Sequence, residues 1–463
     1  MLGPIFQRFV DQSPITVMAA AAIARLLSAE RLDALFEKAR RGQYAHELLF
    51  STTFYLMAAV VTGTRRSIHH AYQSTQEVGV SVVSVYGKLQ GIETSTSQAL
   101  VRDVAAELVP LIEEMGGSLQ PLVSGYPTKI LDGNCIAASE HRIKELRTTA
   151  AGALPGKSLV VLDADHHLIA DVFPCEDGHA QERALLDQVI PTVAEGELWI
   201  DDRNFCTFDF LWAIDQRRAF FVTRQHGNMV CEPVGPRREL GRVETGTVYE
   251  QRVRVRGPAG KELQLRRIEV RLDQATRDGD RVIALLTNLP AQGAQAVDGL
   301  RVAQIYRGRW TIETAFQELA RDLNSEINTL GYPKAALFGF CVALVLYNAV
   351  ALLSAALRGA HGARKIEEEV SNYYVAAEIE TTSRGMMIAI PERHWGVFGR
   401  MSLEEFAAVM VMLAGKVDLR QFRKHPRGPK KPQPKHTYDP AHPHVSIAKI
   451  LARRQPSQRS ENT

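Results

Sequence analysis

Three acids, Asp132, Asp202 and Glu313, could carry chemistry if their side chains meet. Mg²⁺ prefers oxygen ligands, and two such ions about 3.5–4 Å apart can activate an attacking oxygen and stabilise a leaving one in a phosphoryl displacement. Carboxylates that come from separate elements of a fold can hold these ions. The sequence around each acid must therefore place all three at one site.

The first two acids are expected on strands. Asp132 lies within TKILDGNCIAA, where it shares a face with Asn134. Because strands are depleted in Asp, either a metal ligand or a water-facing strand end would account for it. Asp202 ends a later strand in WIDDRNF, and the carboxyl ends of strands line the functional crevice of α/β sheets. Neighbours on a strand point oppositely, so only one of Asp201 and Asp202 can enter that crevice.

The third acid lies in IYRGRWTIETAFQELARDLN, whose spacing predicts one helix. An apolar stripe along this helix would pack against the protein. A polar strip beside the stripe carries Tyr306, Arg309, Glu313, Gln317 and Ala320. Arg309 and Glu313 also have the spacing of an ordinary i,i+4 surface pair, so two interpretations remain open.

The pattern of the chain predicts six segments. The first segment has helical spacing of its apolar residues. The second has short strands and helices in the order β-β-β-α-β-α-β, and the third has strands of alternating apolar and polar residues. We expect a helical N-terminal domain at 1–120, a mixed α/β catalytic core at 121–225 and 299–360, a β-rich insertion at 226–298, C-terminal helices at 361–422, and a basic Pro-rich arm at 423–463. Within the core, QERALLDQVIPTVAE predicts a helix. The fold class is therefore mixed α/β.

Basic residues are concentrated in two places. In the insertion, Arg252, Arg254 and Arg256 alternate with valines and share one face, which could track phosphates or be an ordinary exposed face. From residue 420 to the end, eleven Lys and Arg face two acids, although the whole chain carries only +3. This end also holds seven of the 21 prolines. Lys430 and Lys431 could thus lie on an extended arm around a polyanion, or on a solubilising tail.

One segment raises the question of a membrane. Residues 336–357 carry no charge and are long enough to span a bilayer, but Gly339, Asn348 and Ser354 interrupt them. A helix buried on all sides in a large protein has the same composition, and we favour this interpretation.

Five cysteines without a CxxC pair fit neither a disulfide framework nor a zinc cluster, and the first residues lack the features of a secretory signal. We expect a cytoplasmic protein.

The ordered motifs resemble those of one family. DGN at Asp132, DRNF at Asp202, and Y-x2-R-x3-E from Tyr306 to Glu313 are similar to the motifs of insertion-sequence DDE transposases, in the group with the Tyr-Arg-Glu-Lys signature. The resemblance covers about residues 125–360. It implies an RNase H-like core interrupted by a β-rich insertion. It also implies that the three acids are catalytic and bind two Mg²⁺ or Mn²⁺ ions.

The resemblance also implies partners. Double-stranded DNA would be bound at the ends of the element and at the target, by a homodimer, and Tyr306 and Arg309 would contact phosphate near the cleaved bond. The family's Lys falls at Ala320, with Arg321 beside it as the nearest cation. Three other classes remain as alternatives: a domesticated DNA-binding protein without catalysis, a metal nuclease that does not join strands, and a membrane protein.

Overall fold

The computed structural model describes residues 3–43, 47–75, 78–276, 279–425 and 440–454. Seven helices come first, and several begin where the sequence supplies a cap. Ser28 and Ser81, for example, accept hydrogen bonds from backbone N–H groups in the first turns of α3 and α6. These helices are α1 (Pro4–Gln12), α2 (Pro14–Leu26), α3 (Ala29–Ala39), α4 (Phe50–Val61), α5 (Ile68–Ser74), α6 (Val82–Gly91) and α7 (Thr94–Glu114).

Strands dominate the middle of the chain. They are β1 (Thr128–Cys135), β2 (Gly152–Leu154), β3 (Lys157–Asp163), β4 (Leu168–Cys175), β5 (Leu198–Asp201), β6 (Phe220–Arg224), β7 (Glu232–Pro233), β8 (Arg238–Val243), β9 (Gly246–Arg256), β10 (Glu262–Leu272) and β11 (Val282–Thr287). Two helices lie between them, α8 (Leu186–Val189) and α9 (Phe208–Gln216).

Helices return after β11. They are α10 (Gly299–Tyr306), α11 (Trp310–Asp322), α12 (Pro333–His361), α13 (Ala363–Glu369), α14 (Asn372–Ala389), α15 (Glu392–Arg400) and α16 (Leu403–Ala414). A last strand, β12 (His444–Ser446), and helix α17 (Ile447–Arg454) end the described chain.

The central sheet has the order β4-β3-β1-β5-β6. Strands β4, β3 and β1 are antiparallel neighbours, whereas β1, β5 and β6 run parallel. This is the arrangement of an RNase H-like sheet, and the mixed α/β class predicted from the sequence is confirmed. The carboxyl ends of the three parallel strands meet at one edge, where the candidate acids lie.

The β-rich segment continues the central sheet. Strand β11 pairs with β6, and β10 and β9 follow it, so that ten strands form one surface. Both faces of this sheet are covered. One core contains Ile130, Ile200 and Val222 together with the helices, and the other contains Leu131, Trp199 and Phe221 with α9. The limits of the insertion remain a prediction from sequence, since the sheet does not break there.

The N-terminal helices share a core with the C-terminal ones. Phe6 of α1 packs edge-on against Trp395 and Phe398 of α15. Helix α7 packs against β4 and α12, so the helices of residues 1–120 rest directly on the sheet. The N-terminal helices and the sheet are thus parts of one packed body.

Helix α12 is the core helix around which the others pack. It is long and apolar enough to cross a membrane, but 94% of its most apolar window is buried within the protein. Its polar residues have internal partners. The Asn348 side chain accepts from the Ile169 N–H at 2.7 Å and donates to the Ile169 carbonyl at 2.8 Å. Arg358 donates to the Gly117 carbonyl and to Glu367. Asn348 thereby satisfies a backbone N–H and C=O of β4.

The helix predicted over residues 181–195 is wrong in one respect. The segment forms a short 3-10 turn, the single-turn helix α8 and another 3-10 turn at Ile190–Thr192. Pro191 lacks an N–H and its ring clashes with the preceding turn, which disfavours a regular helix at this point.

The C-terminal end returns to the core. Strand β12 pairs in parallel with β2, and Ile447 packs against Ile143 and Ala153. Lys449 lies 3.0 Å from Asp177. Residues 440–454 are therefore part of the folded body, whereas Lys430 and Lys431 of the predicted arm lie outside the described residues.

Candidate active site

Asp132 is half-buried on β1. Its Oδ1 accepts the Gly133 N–H at 2.9 Å, and its Oδ2 accepts Nη1 of Arg309 at 3.0 Å. It lies opposite Val160 of β3, on the face of the sheet that also carries Ile130. This carboxylate is not a strand-end group turned to bulk water, because an arginine from a distant helix reaches it.

Asp202 follows β5 directly and caps a 3-10 turn at Arg203–Phe205. Its Oδ1 accepts the Asn204 N–H at 2.6 Å. In the parallel pair of β1 and β5, Ile130 lies beside Ile200. Continuing that register by two residues brings Asp202 beside Asp132 on the same face, at the carboxyl edge of the parallel strands.

The preceding acid, Asp201, has a different environment. It is fully buried on the opposite face, beside Thr223 of β6. Burial raises the pKa of Asp201 well above its usual range, and its nearest neutral polar group is the Thr223 hydroxyl. Neither Asp201 oxygen has a hydrogen bond of normal geometry among the described residues. The two neighbouring acids therefore occupy opposite faces, one buried and one at the edge.

Glu313 lies in the first turn of α11 and forms a pair with Arg309, whose Nη2 lies 2.5 Å from Oε1. A carboxylate is stabilised there by the helix dipole, typically by about 0.3–1 kcal/mol. The same arginine also pairs with Asp132, and its side chain is only 13% exposed. The pair is thus not an isolated surface pair. Arg309 joins the acid of a strand to the acid of a helix.

The helix predicted over residues 305–324 is wrong near its N-terminal end. Helix α10 ends at Tyr306, a 3-10 turn covers Arg307–Arg309, and α11 begins at Trp310. Gly308 favours this break because glycine is a poor helix former. A side chain at Gly308 would also meet Leu122 at 2.9 Å. Arg309, the last residue of the turn, reaches Asp132 of β1.

The site is short of positive charge. Burial, together with the charges of Asp202 and Glu313, raises the pKa of Asp132 to about 6, against the opposing effects of Arg309 and the Gly133 N–H. Burial alone would lower the pKa of Arg309, but Tyr306 and the two acids that it contacts raise it. Arg309 thus pairs directly with two of the three carboxylates.

The three acids have the ligand chemistry of a divalent-cation site, and in this structure the guanidinium of Arg309 lies between two of them. Mg²⁺ and Mn²⁺ take carboxylate oxygens, and all three acids supply them. Among the described residues, no three acidic, His or Cys side chains converge closely enough to enclose an ion. In this structure Arg309 bridges Asp132 and Glu313, so enclosing an ion there requires that the guanidinium move.

Tyr306 and Arg224 lie at the edge of the site. Tyr306 is buried at the end of α10, and burial raises its pKa strongly. Arg224 ends β6 and acts on the Tyr306 hydroxyl electrostatically, while it also pairs with Asp280 at 2.6 Å. The sequence analysis missed Arg224. Its position at the carboxyl end of a strand beside β5 was the available signal.

The remaining predicted residues lie away from the acids. Arg252, Arg254 and Arg256 share one face of β9, with Val253 and Val255 buried on the other. Arg254 lies 3.6 Å from Glu262 and Arg256 lies 3.1 Å from Glu232, so two of the three charges are partly offset. Arg321 lies on α11, and its side chain falls outside the part of the structure that is described.

Comparison with known proteins finds similarity to transposases. Residues 124–348 match the family model described as a transposase DDE domain. A protein of Sinorhizobium fredii (strain NBRC 101917 / NGR234), named "Putative transposase y4zB", is 33% identical over 135 residues, which are 28% of this chain and 35% of that protein. The chain thus matches about a third of that relative's length.

Among solved structures, a piggyBac transposase synaptic complex with hairpin DNA is similar, with a TM-score of 0.37 and 10% identity over 81% of this chain and 83% of that one. The matched family segment contains all three candidate acids and ends within α12. Over residues 124–348, just under half of its length, the chain is similar to the transposase DDE domain.

Proposed function

We propose that this chain is a DNA transposase that cleaves phosphodiesters at the ends of its element and joins the freed strand to target DNA. The observation that carries the proposal is the junction of Asp132, Arg309 and Glu313 at the edge where β5 delivers Asp202. Double-stranded DNA is the substrate and a homodimer the acting form. The protein works in the cytoplasm.

Asp132, Asp202 and Glu313 are the residues that would hold Mg²⁺ or Mn²⁺, two ions per site. When bound, these ions make the attacking oxygen more nucleophilic and stabilise the leaving one. In the first step a water oxygen attacks the phosphorus at the element end, the P–O3′ bond breaks, and a 3′ hydroxyl is left on the element. In the second step that hydroxyl attacks a target phosphodiester and displaces its 3′ oxygen.

The chain's other residues position the DNA. Tyr306, Arg309 and Arg321 lie on α10, the adjoining turn and α11, and they bind phosphate near the cleaved bond. Arg252, Arg254 and Arg256 of the β-rich segment contact the DNA further out. Lys430 and Lys431 add cations from the C-terminal segment. Phosphate contacts of this kind fix register and orientation rather than sequence.

The test uses the full chain and a labelled duplex that ends in the short inverted repeats flanking its gene. With Mg²⁺ and a supercoiled target plasmid, we expect 3′ hydroxyl ends on the element and covalently joined products. A duplex with scrambled repeats is the matched control and should remain uncut. Cleavage without joined products would indicate a nuclease. Specific binding with neither product would indicate the domesticated DNA-binding protein.

A further inference from the structure

Arg309 occupies the place between two of the three acids. It donates from Nη1 to Asp132 and from Nη2 to Glu313, at 3.0 and 2.5 Å. Its Nε is buried and has no partner among the described residues. The guanidinium is therefore held by its two outer nitrogens only. In this position it blocks an oxygen of each acid and is itself unavailable to a phosphate.

Guanidinium binds carboxylate and phosphate through the same forked donors. Exchanging the acids for a DNA phosphate would thus replace one set of charge-assisted hydrogen bonds with another, and could also give the orphaned Nε an acceptor. The exchange would leave two neighbouring carboxylates, one of them largely shielded from water on β1, without the arginine that bridges them. Their mutual repulsion and the partial burial of Asp132 are unfavourable unless another cation takes its place.

We propose that Arg309 is a latch that holds Asp132 and Glu313 until a DNA phosphate draws it away and opens the acids to a divalent cation. The inference rests on the proposed function and adds regulation to the same site. Because linkage is reciprocal, DNA raises the affinity for the metal by the same factor by which the metal raises the affinity for DNA. Metal occupancy of the acids therefore rises when an element end is bound.

The first test measures Mn²⁺ binding to the full chain without DNA, by electron paramagnetic resonance of the free ion. Arg309→Gln removes the competing cation, so Mn²⁺ should bind more tightly, by roughly 5- to 150-fold if the coupling is typical. Adding Glu313→Gln should abolish that gain. Arg307→Gln is the matched control, since Arg307 lies in the same turn but pairs with Glu244 at the surface. It should leave Mn²⁺ affinity unchanged.

The second test measures DNA affinity in EDTA, by fluorescence anisotropy of an element-end duplex. Glu313→Gln should tighten binding in the wild-type background, because it loosens the latch, and it should do so more than Asp202→Asn. Asp202 lies in the same site, but its carboxylate accepts the Asn204 N–H, whereas Arg309 donates to Asp132 and Glu313. In the Arg309→Gln background the two amide variants should have equal effects.

The outcomes separate the latch from the proposed function. If Arg309→Gln leaves Mn²⁺ affinity unchanged or lowers it, the arginine organises the acids and the latch is wrong. If Asp132→Asn and Asp202→Asn fail to weaken Mn²⁺ binding in either background, the acid site itself is wrong. Arg309→Lys is the second variant in case the glutamine variant misfolds. Its ammonium keeps a positive charge beside the acids but lacks the forked donors of a guanidinium, so a gain smaller than that of the glutamine variant is expected.

Discussion

Strand β1 has an aspartate near each end, Asp163 of the neighbouring strand β3 at one and its own Asp132 towards the other, and the two carboxylates differ in how well cations neutralise them. At one end, Asp163 of β3 accepts from Lys129 at 2.7 Å and from the backbone N–H groups of Asp165 and His166, and its Oδ1 lies 3.0 Å from the His166 Nδ1. Although burial acts in the other direction, these partners hold the pKa of Asp163 well below its usual range. At the other end, burial raises the pKa of Asp132 to about 6 despite the nearby Arg309.

The ionised carboxylate of Asp163 therefore stabilises the fold, whereas the ionised carboxylate of Asp132 costs folding free energy. Asp163 has Lys129 and the imidazole of His166 beside one carboxylate, which raises the pKa of His166, and these partners lower the pKa of Asp163, so the charge is satisfied within the protein. Asp132 shares one cation with Glu313 and lies near Asp202. Perturbed acids at the edge of a sheet are candidates for function for this reason. Four predictions test the contrast.

The largest effect is expected on cleavage. Asp202→Asn keeps the side-chain volume but removes a charged oxygen ligand, so cleavage of element ends in Mg²⁺ should fall by orders of magnitude. Asp132→Asn and Glu313→Gln should behave in the same way. A gel assay on labelled element-end DNA measures this loss.

Asp201→Asn is the matched control for Asp202→Asn. Because Asp201 is fully buried on the other face, its amide should retain most of the activity. Full activity in Asp202→Asn with loss of activity in Asp201→Asn would show that Asp201, not Asp202, is the catalytic acid.

The second effect concerns stability. Asp163→Asn leaves Lys129 and His166 without their carboxylate, and we expect the free energy of unfolding to fall by about 2–4 kcal/mol. Asp132→Asn removes a carboxylate that shares its one arginine with Glu313. The free energy of unfolding should therefore change little or even rise. Urea unfolding of both variants measures the difference. Equal losses would remove the distinction between the two ends of β1.

The third effect is a pH dependence of the free energy of unfolding, to which Asp132 and Asp163 contribute with opposite signs. Because the pKa of Asp132 is raised from 3.8 to about 6, the folded state binds more protons than the unfolded state between these values. The free energy of unfolding should therefore fall as pH rises from 4 to 6, by up to about 3 kcal/mol. The lowered pKa of Asp163 gives a stability that is lost as pH falls.

Denaturation at several pH values, with Asp132→Asn as reference, isolates the contribution of Asp132. The variant should lack the fall between pH 4 and 6. Saturating Mg²⁺ should also reduce the fall in the wild type, since the ion binds the ionised acids. An identical pH profile in the variant would show that Asp132 ionises as freely in the folded protein as in the unfolded one.

Much of the fold could be predicted from local patterns. The strands predicted for the α/β core and for the β-rich segment and the buried helix at residues 336–357 follow from hydrophobic period, and the structure contains each. The short strand β2 was not predicted. The continuous helices predicted across Pro191 and Gly308 were wrong, because the apolar spacing persists where proline and glycine disfavour a regular helix.

The site was predictable only in its parts. Strand parity separates Asp201 from Asp202, and spacing pairs Arg309 with Glu313. The contact between Arg309 and Asp132 joins residues 177 positions apart, so no local pattern could predict it. The continuation of the sheet from β6 into β11 is likewise a long-range pairing. The roles of the site residues remain predictions for the experiments above.

The smallest effect expected is on the salt dependence of DNA binding, and it needs a substitution rather than a truncation. Removing residues 423–463 would also delete β12 and α17, which pack on β2 and beside Asp177. Lost DNA affinity could then reflect a damaged core. Lys430→Gln with Lys431→Gln leaves those contacts intact.

If both lysines contact phosphate, the plot of log K against log salt should become less steep by about 2, because fewer counterions are released. Arg256→Gln is the comparison from the sheet. Its charge is already partly offset by Glu232, so the slope should change by less than one lysine's share. Anisotropy titrations of an element-end duplex across a salt series measure all three proteins. An unchanged slope in the double lysine variant would identify the C-terminal segment as a solubilising tail, and a larger change in Arg256→Gln would move the main phosphate-contacting surface to β9.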